Sequence, residues 1–373
     1  MRLLYLVSHP IQYQAPLLRR IAADPAIDLH VLFERMDTTG AYFDPGFGTE
    51  VAWDVPLTDG YSHELAGSLS LVEQRLDQAD VLWVHGWDSR LKLCSLEQAR
   101  RRGVPALMRG ENTRAAMPDG GGIRGALKRI YLRWMFYRCW GFLCIGSDNR
   151  DYYRAHGVED ARLFDMPYAV DNGFFENPGH DLAELRAELG FAADRPVVLF
   201  AGKLQQRKHP EVLLDAVQSL PAPRPQLVFA GDGERFDALT QLAGDDEGVT
   251  FLGFQNQSRL PALYALADVF VLPSAREPWG LAVNEAMASA TAVIVSDECG
   301  CAVDLIDDDC GRVVPVGDVT ALAAALHEIL SEPGRAEAMG RAARARINGW
   351  SFDEDLAGLH AALKGVASSP SRS

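Results

Sequence analysis

Short apolar runs of strand length alternate with amphipathic helical stretches along most of this chain, and the alternation occurs twice. In the first half the runs fall at 3–8, 29–33, 81–85, 104–109, 142–145 and 163–166, several followed by helical stretches such as 16–23 and 95–102. In the second half they recur more cleanly at 197–201, 226–230, 249–252, 269–272, 292–296 and 312–314. This is the pattern of a parallel sheet with helices on both faces. At 373 residues the chain exceeds one typical core, and the stretch 172–181, where Gly and Pro break the periodicity, reads as a linker. The expectation is an α/β protein with two doubly wound domains, 1–171 and 172–349. A last helix spans 350–367, capped by Ser351 with Glu354 completing a capping box. The Ser- and Pro-rich tail 368–373 is expected to be disordered. The segment 37–68 is less regular and reads as a hairpin or loops.

Composition narrows the partners. With 36 basic and 51 acidic residues the formal net charge is -15, which disfavours non-specific binding to nucleic acid. An anionic ligand must therefore find a local basic pocket. The six cysteines are scattered, and no charged and apolar signal segment opens the chain, so reduced thiols and a cytoplasmic location are expected. Cys299-Gly-Cys301 with Cys310 lacks a fourth ligand at metal spacing, and no metal site is expected.

One segment carries most of the chemistry. Ser274-Ala-Arg-Glu-Pro-Trp-Gly-Leu-Ala-Val-Asn-Glu285 follows the apolar run 268–273 and leads into a helix beginning near Gly280. In a parallel sheet such a junction is where ligands bind. Gly280 lets the backbone approach a ligand, and the N–H groups of Leu281, Ala282 and Val283 form an anion site suited to a diphosphate. Glu277 and Glu285 can accept hydrogen bonds from sugar and ribose hydroxyls. Abundant acidic residues will produce such spacing by chance, but the ordered set of strand, loop Glu, Gly, helix and second Glu strongly resembles the Glu-x7-Glu motif of the retaining glycosyltransferases of family 4. The resemblance implies a GT-B architecture, two Rossmann-like domains facing a cleft, with the last helix packing back on the first domain.

Upstream, Gly202, Lys203 and Lys208 in Phe200-Ala-Gly-Lys-Leu-Gln-Gln-Arg-Lys-His-Pro210 follow a strand and can clamp a diphosphate. The segment is not a P-loop, and Arg207 reads as a solvated basic residue. Family 4 enzymes are similar here, with a Gly-Arg-x4-Lys pattern in which Lys203 replaces the arginine; the charge is kept and the bidentate fork lost. By the same resemblance Gly231 lies in the Gly-x-Gly turn lining the cleft. Phe254 stacks on the nucleotide base or packs internally.

The first half shares only the general order of elements. His9 and Gln12 follow its first strand, His85 ends another, and Arg109 and Glu111 end a third, so these are the acceptor-side candidates. For His85 a satisfied structural histidine is an equal alternative. The stretch 124–138 is basic, aromatic and helical in an acidic chain; it reads as an ordinary packed helix or as a peripheral membrane contact.

What these residues and the resemblance imply together is a retaining transfer of a sugar from a nucleoside diphosphate donor, UDP-linked, to a glycan, lipid-linked or small-molecule acceptor. The nucleotide-sugar is a co-substrate, and no cofactor or metal is needed. Lys203, Lys208 and the helix N-terminus would stabilise the leaving diphosphate; Glu277 would hold the donor sugar and Glu285 the ribose. A sugar phosphorylase, a sugar-nucleotide epimerase and a non-catalytic sugar-nucleotide-binding protein remain as alternatives on the same residues.

Overall fold

A computed structural model describes residues 1–368; the expected disordered tail lies outside the described residues but for Ser368, which ends a helix. The strands are, in chain order, β1 (Arg2–Val7), β2 (Asp28–Phe33), β3 (Tyr42–Asp44), β4 (Thr49–Val51), β5 (Ser62–Leu65), β6 (Val81–His85), β7 (Ala106–Arg109), β8 (Gly141–Cys144), β9 (Leu163–Asp165), β10 (Val197–Ala201), β11 (Gln226–Ala230), β12 (Val249–Gly253), β13 (Val269–Leu272), β14 (Ala292–Ser296) and β15 (Gly311–Val314). They form two parallel sheets and one hairpin, and the chain divides into two compact units.

The first unit comprises Met1–Gly40, Val55–Tyr168 and, of the described residues, those from Phe352 to Ser368. Its sheet runs β5-β2-β1-β6-β7-β8-β9, so the order reverses between β1 and β6, the switch point of a doubly wound fold. Its core gathers Leu4, Leu6, Val84, Met108, Phe136 and Tyr153. The last helix, Phe352–Ser368, belongs to this unit. Arg20 pairs with its Asp353, and its His360 Nε2 lies 2.7 Å from Asp24 Oδ2.

The second unit comprises Ala41–Asp54 and Ala169–Ser351. Its sheet runs β12-β11-β10-β13-β14-β15, again reversing at one point, between β10 and β13. Strands β10, β11 and β14 are buried along their whole length, as covered parallel strands must be, and their side chains join Leu213, Leu322 and Leu326 in one core. The 41–54 segment departs from the expected 1–171 block. It holds the antiparallel β3–β4 hairpin, and its aromatic rings and Asp44 bond to residues of the second unit. That assignment rests on contacts far apart in sequence, so local periodicity carries no sign of it. No helix among the described residues is long and apolar enough to cross a membrane.

Candidate active site

The carboxyl ends of β10 and β13 lie side by side in the second sheet, so the turns that follow them share one edge. After β13 the chain passes Ser274 and reaches Glu277, whose N–H donates to Glu298 O at 3.1 Å while Gly300 N–H donates to Glu277 O at 2.9 Å. Cys301 N–H likewise reaches Trp279 O at 3.1 Å. The Cys299-Gly-Cys301 turn is therefore a backbone cradle for the Glu277 loop. Its cysteines are buried and free, and burial pushes the Cys299 thiol up to about 11, so they act as packing residues.

Gly280 then starts the helix Leu281–Ala288 from a left-handed conformation, φ 99°, which favours glycine; a Cβ there would also sit 2.9 Å from Leu272 Cδ2. Leu281 and Ala282 are half-buried at the helix start. Val283 differs from the expectation, since its N–H is already bonded to Gly280 O at 2.8 Å and is not offered to a ligand. Two donors, not three, head this turn.

From β10 the chain makes the short 3-10 turn Gln206–Lys208. Ala275 N–H donates to Arg207 O at 2.7 Å, tying this turn to the Glu277 loop. Both Lys208 Nζ and Arg207 Nη1 reach Glu277 Oε2, the latter at 3.1 Å. Arg207, expected to be a solvated bystander, is thus the second cation on the motif carboxylate. Its adjacency to Lys208 was visible in sequence, but the β13 loop that reaches it was not. Two cations on one carboxylate leave a unit of positive charge beside the helix N-terminus, in a chain that is acidic as a whole.

Lys203 is placed differently from the expected clamp. Its ammonium donates to both carboxylate oxygens of Asp44, at 2.8 and 3.0 Å, and lies 4.8 Å from the Phe47 ring centroid. Burial works against the Asp44 charge, yet the Lys203 ammonium and the Gly46 and Phe47 N–H groups hold its carboxyl below the ordinary value. The lysine's charge is committed to the hairpin. Phe254, half-buried, joins the same packing, edge to face with Phe47 and Trp53 at 4.9 and 5.6 Å, which is the packing alternative read from the sequence. Gly202 and Gly231 follow β10 and β11, where Gly202 N–H donates to Ala230 O at 3.0 Å. A Cβ on Gly231 would stand 1.8 Å from Gly202 O, so glycine is required for the two turns to meet.

Glu285 lies a turn into the Leu281–Ala288 helix, buried, and accepts a hydrogen bond from Tyr264 Oη at 2.7 Å. Burial raises its carboxyl to about 7, and the Tyr264 hydroxyl offsets only part of that. Near neutrality it is poised between accepting and donating.

In the first unit the ends of β1, β6 and β7 carry a second polar cluster. His85 Nδ1 lies 3.1 Å from Tyr5 Oη and 3.4 Å from Gln14 Nε2; its Nε2 lies 3.3 Å from Tyr168 Oη and 3.7 Å from Glu111 Oε1. Glu111 Oε1 also accepts from Tyr168 and, at 3.1 Å, from Tyr13. Burial would raise the Glu111 carboxyl, but His85 and the two tyrosines bring it down to about 2. Burial in turn lowers the His85 imidazole, favouring its neutral form. Gln12 is half-buried beside this cluster in sequence, and His9 Nδ1 lies 2.8 Å from Ser8 Oγ.

Arg109 is removed from the acceptor-side set. It is 2% exposed, donates from Nη2 to Met166 O at 2.9 Å and to Asp355 Oδ2 at 3.2 Å, and lies over the Tyr168 ring at 4.7 Å. It locks the last helix to the first sheet. Tyr13, Tyr168 and Asp355 were not anticipated, since their partners are brought to them only by the fold.

Residues 181–346 match the family model of the glycosyl transferases group 1. D-inositol 3-phosphate glycosyltransferases of Mycobacteroides abscessus and Nocardia farcinica are each 34% identical, over 206 and 225 residues, or 54% and 57% of this chain. The matched stretch covers 46% and 49% of them, so the chain spans about half the length of these relatives. Among solved structures, sucrose-phosphate synthase from Thermosynechococcus elongatus superposes with a TM-score of 0.74 at 21% identity, covering 99% of this chain and 100% of that one. Anabaena HepE in complex with UDP and glucose gives 0.75 at 18%, covering 98% and 99%. Both are GT-B glycosyltransferases, and at these identities they speak to the fold alone. The two doubly wound sheets and these superpositions agree that the chain has the GT-B fold, and the stretch of its second unit from 181 to 346 is similar to the glycosyl transferases group 1.

Proposed function

We propose that the protein transfers a sugar from a nucleoside diphosphate sugar, UDP-linked, to a hydroxyl-bearing acceptor with retention at the anomeric carbon. The observation that carries this reading is the pairing of Lys208 and Arg207 on Glu277 next to the Gly280–Leu281 helix start. A leaving diphosphate would meet two preorganised cations and two backbone donors, which stabilise charge as the glycosidic bond breaks. Glu277, fixed by those cations, would accept hydrogen bonds from the donor sugar. Glu285 would accept from the ribose. The UDP and glucose of HepE and the inositol 3-phosphate named for the relatives support a sugar-nucleotide donor and a polyol acceptor class. On the first unit, His9, Gln12, His85 and Glu111 stay as the groups proposed to face the acceptor.

The mechanism is proposed to run without metal, the diphosphate oxygen taking the acceptor proton on the same face. Calorimetric titration with UDP, GDP and ADP, with and without EDTA, tests the donor half. Binding of one nucleotide, unaffected by EDTA and lost in Glu285→Ala, is the expected result. Absence of binding by all three would remove the reading.

A further inference from the structure

The helix Gly122–Phe136 of the first unit has two apolar faces. One, with Leu132, Met135 and Phe136, is buried in the core. The other carries Ile123, Leu127, Ile130 and Trp134, exposed by 80, 60, 65 and 53%, with Tyr131 beside them and Tyr137, 69% exposed, just past the helix end. The positions advance by four, three and four residues, so they form one stripe on the side away from the core. Six of the thirteen large apolar side chains exposed among the described residues lie on this short stretch. Singly exposed apolar residues need no explanation; a stripe of this size does.

The charge around the stripe identifies what covers it. Between Gly122 and Arg138 there are five basic residues and no acidic one, in a chain of net charge -15. Arg124, Arg129 and Arg133 are exposed on the two flanks of the stripe. Arg138 lies 3.4 Å over the Trp134 ring and holds the indole in place. Lys128 is turned back onto the Met117 and Pro118 carbonyls, bracing the helix start. Aromatic rings at the border of an aliphatic stripe, with arginines on both sides, are the composition of a helix lying in the plane of a bilayer surface. A soluble partner would need a matching apolar groove and acidic rim; an anionic bilayer offers both features over any area.

We infer that this face docks the first unit on an anionic phospholipid surface, with the Ile123–Trp134 stripe inserted among the acyl chains and Arg124, Arg129 and Arg133 at the headgroups. The inference does not depend on sugar transfer. The test is co-sedimentation of the full chain with phosphatidylcholine vesicles, with and without phosphatidylglycerol. Partition is expected only with phosphatidylglycerol and should fall as salt rises. Each of Arg124→Ala, Arg129→Ala and Arg133→Ala should weaken it about fivefold. Leu127→Ser, Ile130→Ser and Trp134→Ser together should abolish it while the thermal midpoint stays unchanged, since all three side chains are exposed. Brominated lipid should quench tryptophan emission in the wild type and less so in Trp134→Phe. Three results would overturn the inference: no partition of the wild type, wild-type partition by the serine variant, or a dimer in sedimentation velocity that the serine variant dissociates, which would give the face to a second copy of this chain.

Discussion

At the edge of the first sheet, Glu111 accepts hydroxyls from Tyr13 and Tyr168 and faces His85, while Arg109 is spent on Asp355 and two carbonyls. At the edge of the second, Lys208 and Arg207 share one oxygen of Glu277, with a helix N-terminus open beside them. One edge pairs its charges off against each other, with Arg109 Nε and Asp355 Oδ1 left buried and unbonded; the other carries a net unit of positive charge. A charge-balanced buried pair fixes geometry, whereas an imbalanced cluster is what a charged ligand completes. The contrast fits the proposal above: the second edge is the one with charge to offer a diphosphate, while on the first Arg109 serves the fold and only the His85–Glu111 cluster is left to the proposed acceptor side.

The largest effect is expected on the first edge. Arg109→Ala leaves Asp355 buried without its cation, and loss of one member of a buried pair costs about 3–5 kcal/mol. Burial already raises the Asp355 carboxyl to about 6 despite the guanidinium, so its charge is poorly tolerated. Urea denaturation should show the loss, and Asp355→Asn in the same chain should recover part of it. Nucleotide affinity should not change. If affinity fell with stability held, Arg109 would belong to a ligand site after all.

Sequence distance explains which of these roles could be read in advance. Glu277, Gly280 and Glu285 lie within one strand-turn-helix unit, so their order alone carried the resemblance and the proposal of a donor site there. The alternation of strands and helices likewise carried both sheets except β5, because burial on two faces demands continuous apolar runs, and the exposed edge strand Ser62–Leu65 has none and read as part of a hairpin or loops. The partner of Lys203 is 159 residues away in a hairpin of the other half, and Tyr13 and Glu111 are 98 apart. Nothing local marks such pairs, which is why Lys203 and Arg109 read as ligand groups and Arg207 as a bystander.

On the second edge, Lys208→Ala should lower turnover about 100- to 1,000-fold with a smaller change in donor affinity, as expected for a group acting on developing charge. Arg207→Ala should cost about tenfold, because its side chain is nearly half exposed and water can replace part of its field. Single-turnover kinetics with UDP-sugar separates these from binding. Equal effects in the two variants would mean that the pair acts as one charge.

Glu285 sharpens the comparison through pH. Its folded carboxyl is raised from 4.5 to about 7, so protonation favours the folded state. Its contribution is fully present below pH 4.5 and is lost as pH rises through about 7, reaching about 3 kcal/mol as an upper bound. Glu285→Gln should remove that slope and raise the melting temperature at pH 8 while weakening nucleotide binding. A melting profile with the same slope in the variant would assign the pH dependence elsewhere. Stability and binding moving in opposite directions is the signature of a carboxylate kept for a ligand.

The smallest effect is expected at Lys203, where the two lysines of one loop part company. Lys203 and Lys208 were equivalent as clamps by sequence, yet one faces Asp44 and the other Glu277. Asp44 is held below its ordinary value of 3.8, so its pairing stabilises the folded state above that pH and fades as pH falls through the folded value. Lys203→Ala should therefore cost about 1 kcal/mol at neutral pH, loosen the β3–β4 hairpin and leave turnover within about twofold. Hydrogen exchange at 41–54 reads the hairpin, and steady-state kinetics reads the chemistry. A loss of turnover matching that of Lys208→Ala, with the hairpin still protected, would mean that Lys203 leaves Asp44 for the diphosphate when donor binds, and the contrast between the two lysines would then describe only the unliganded protein.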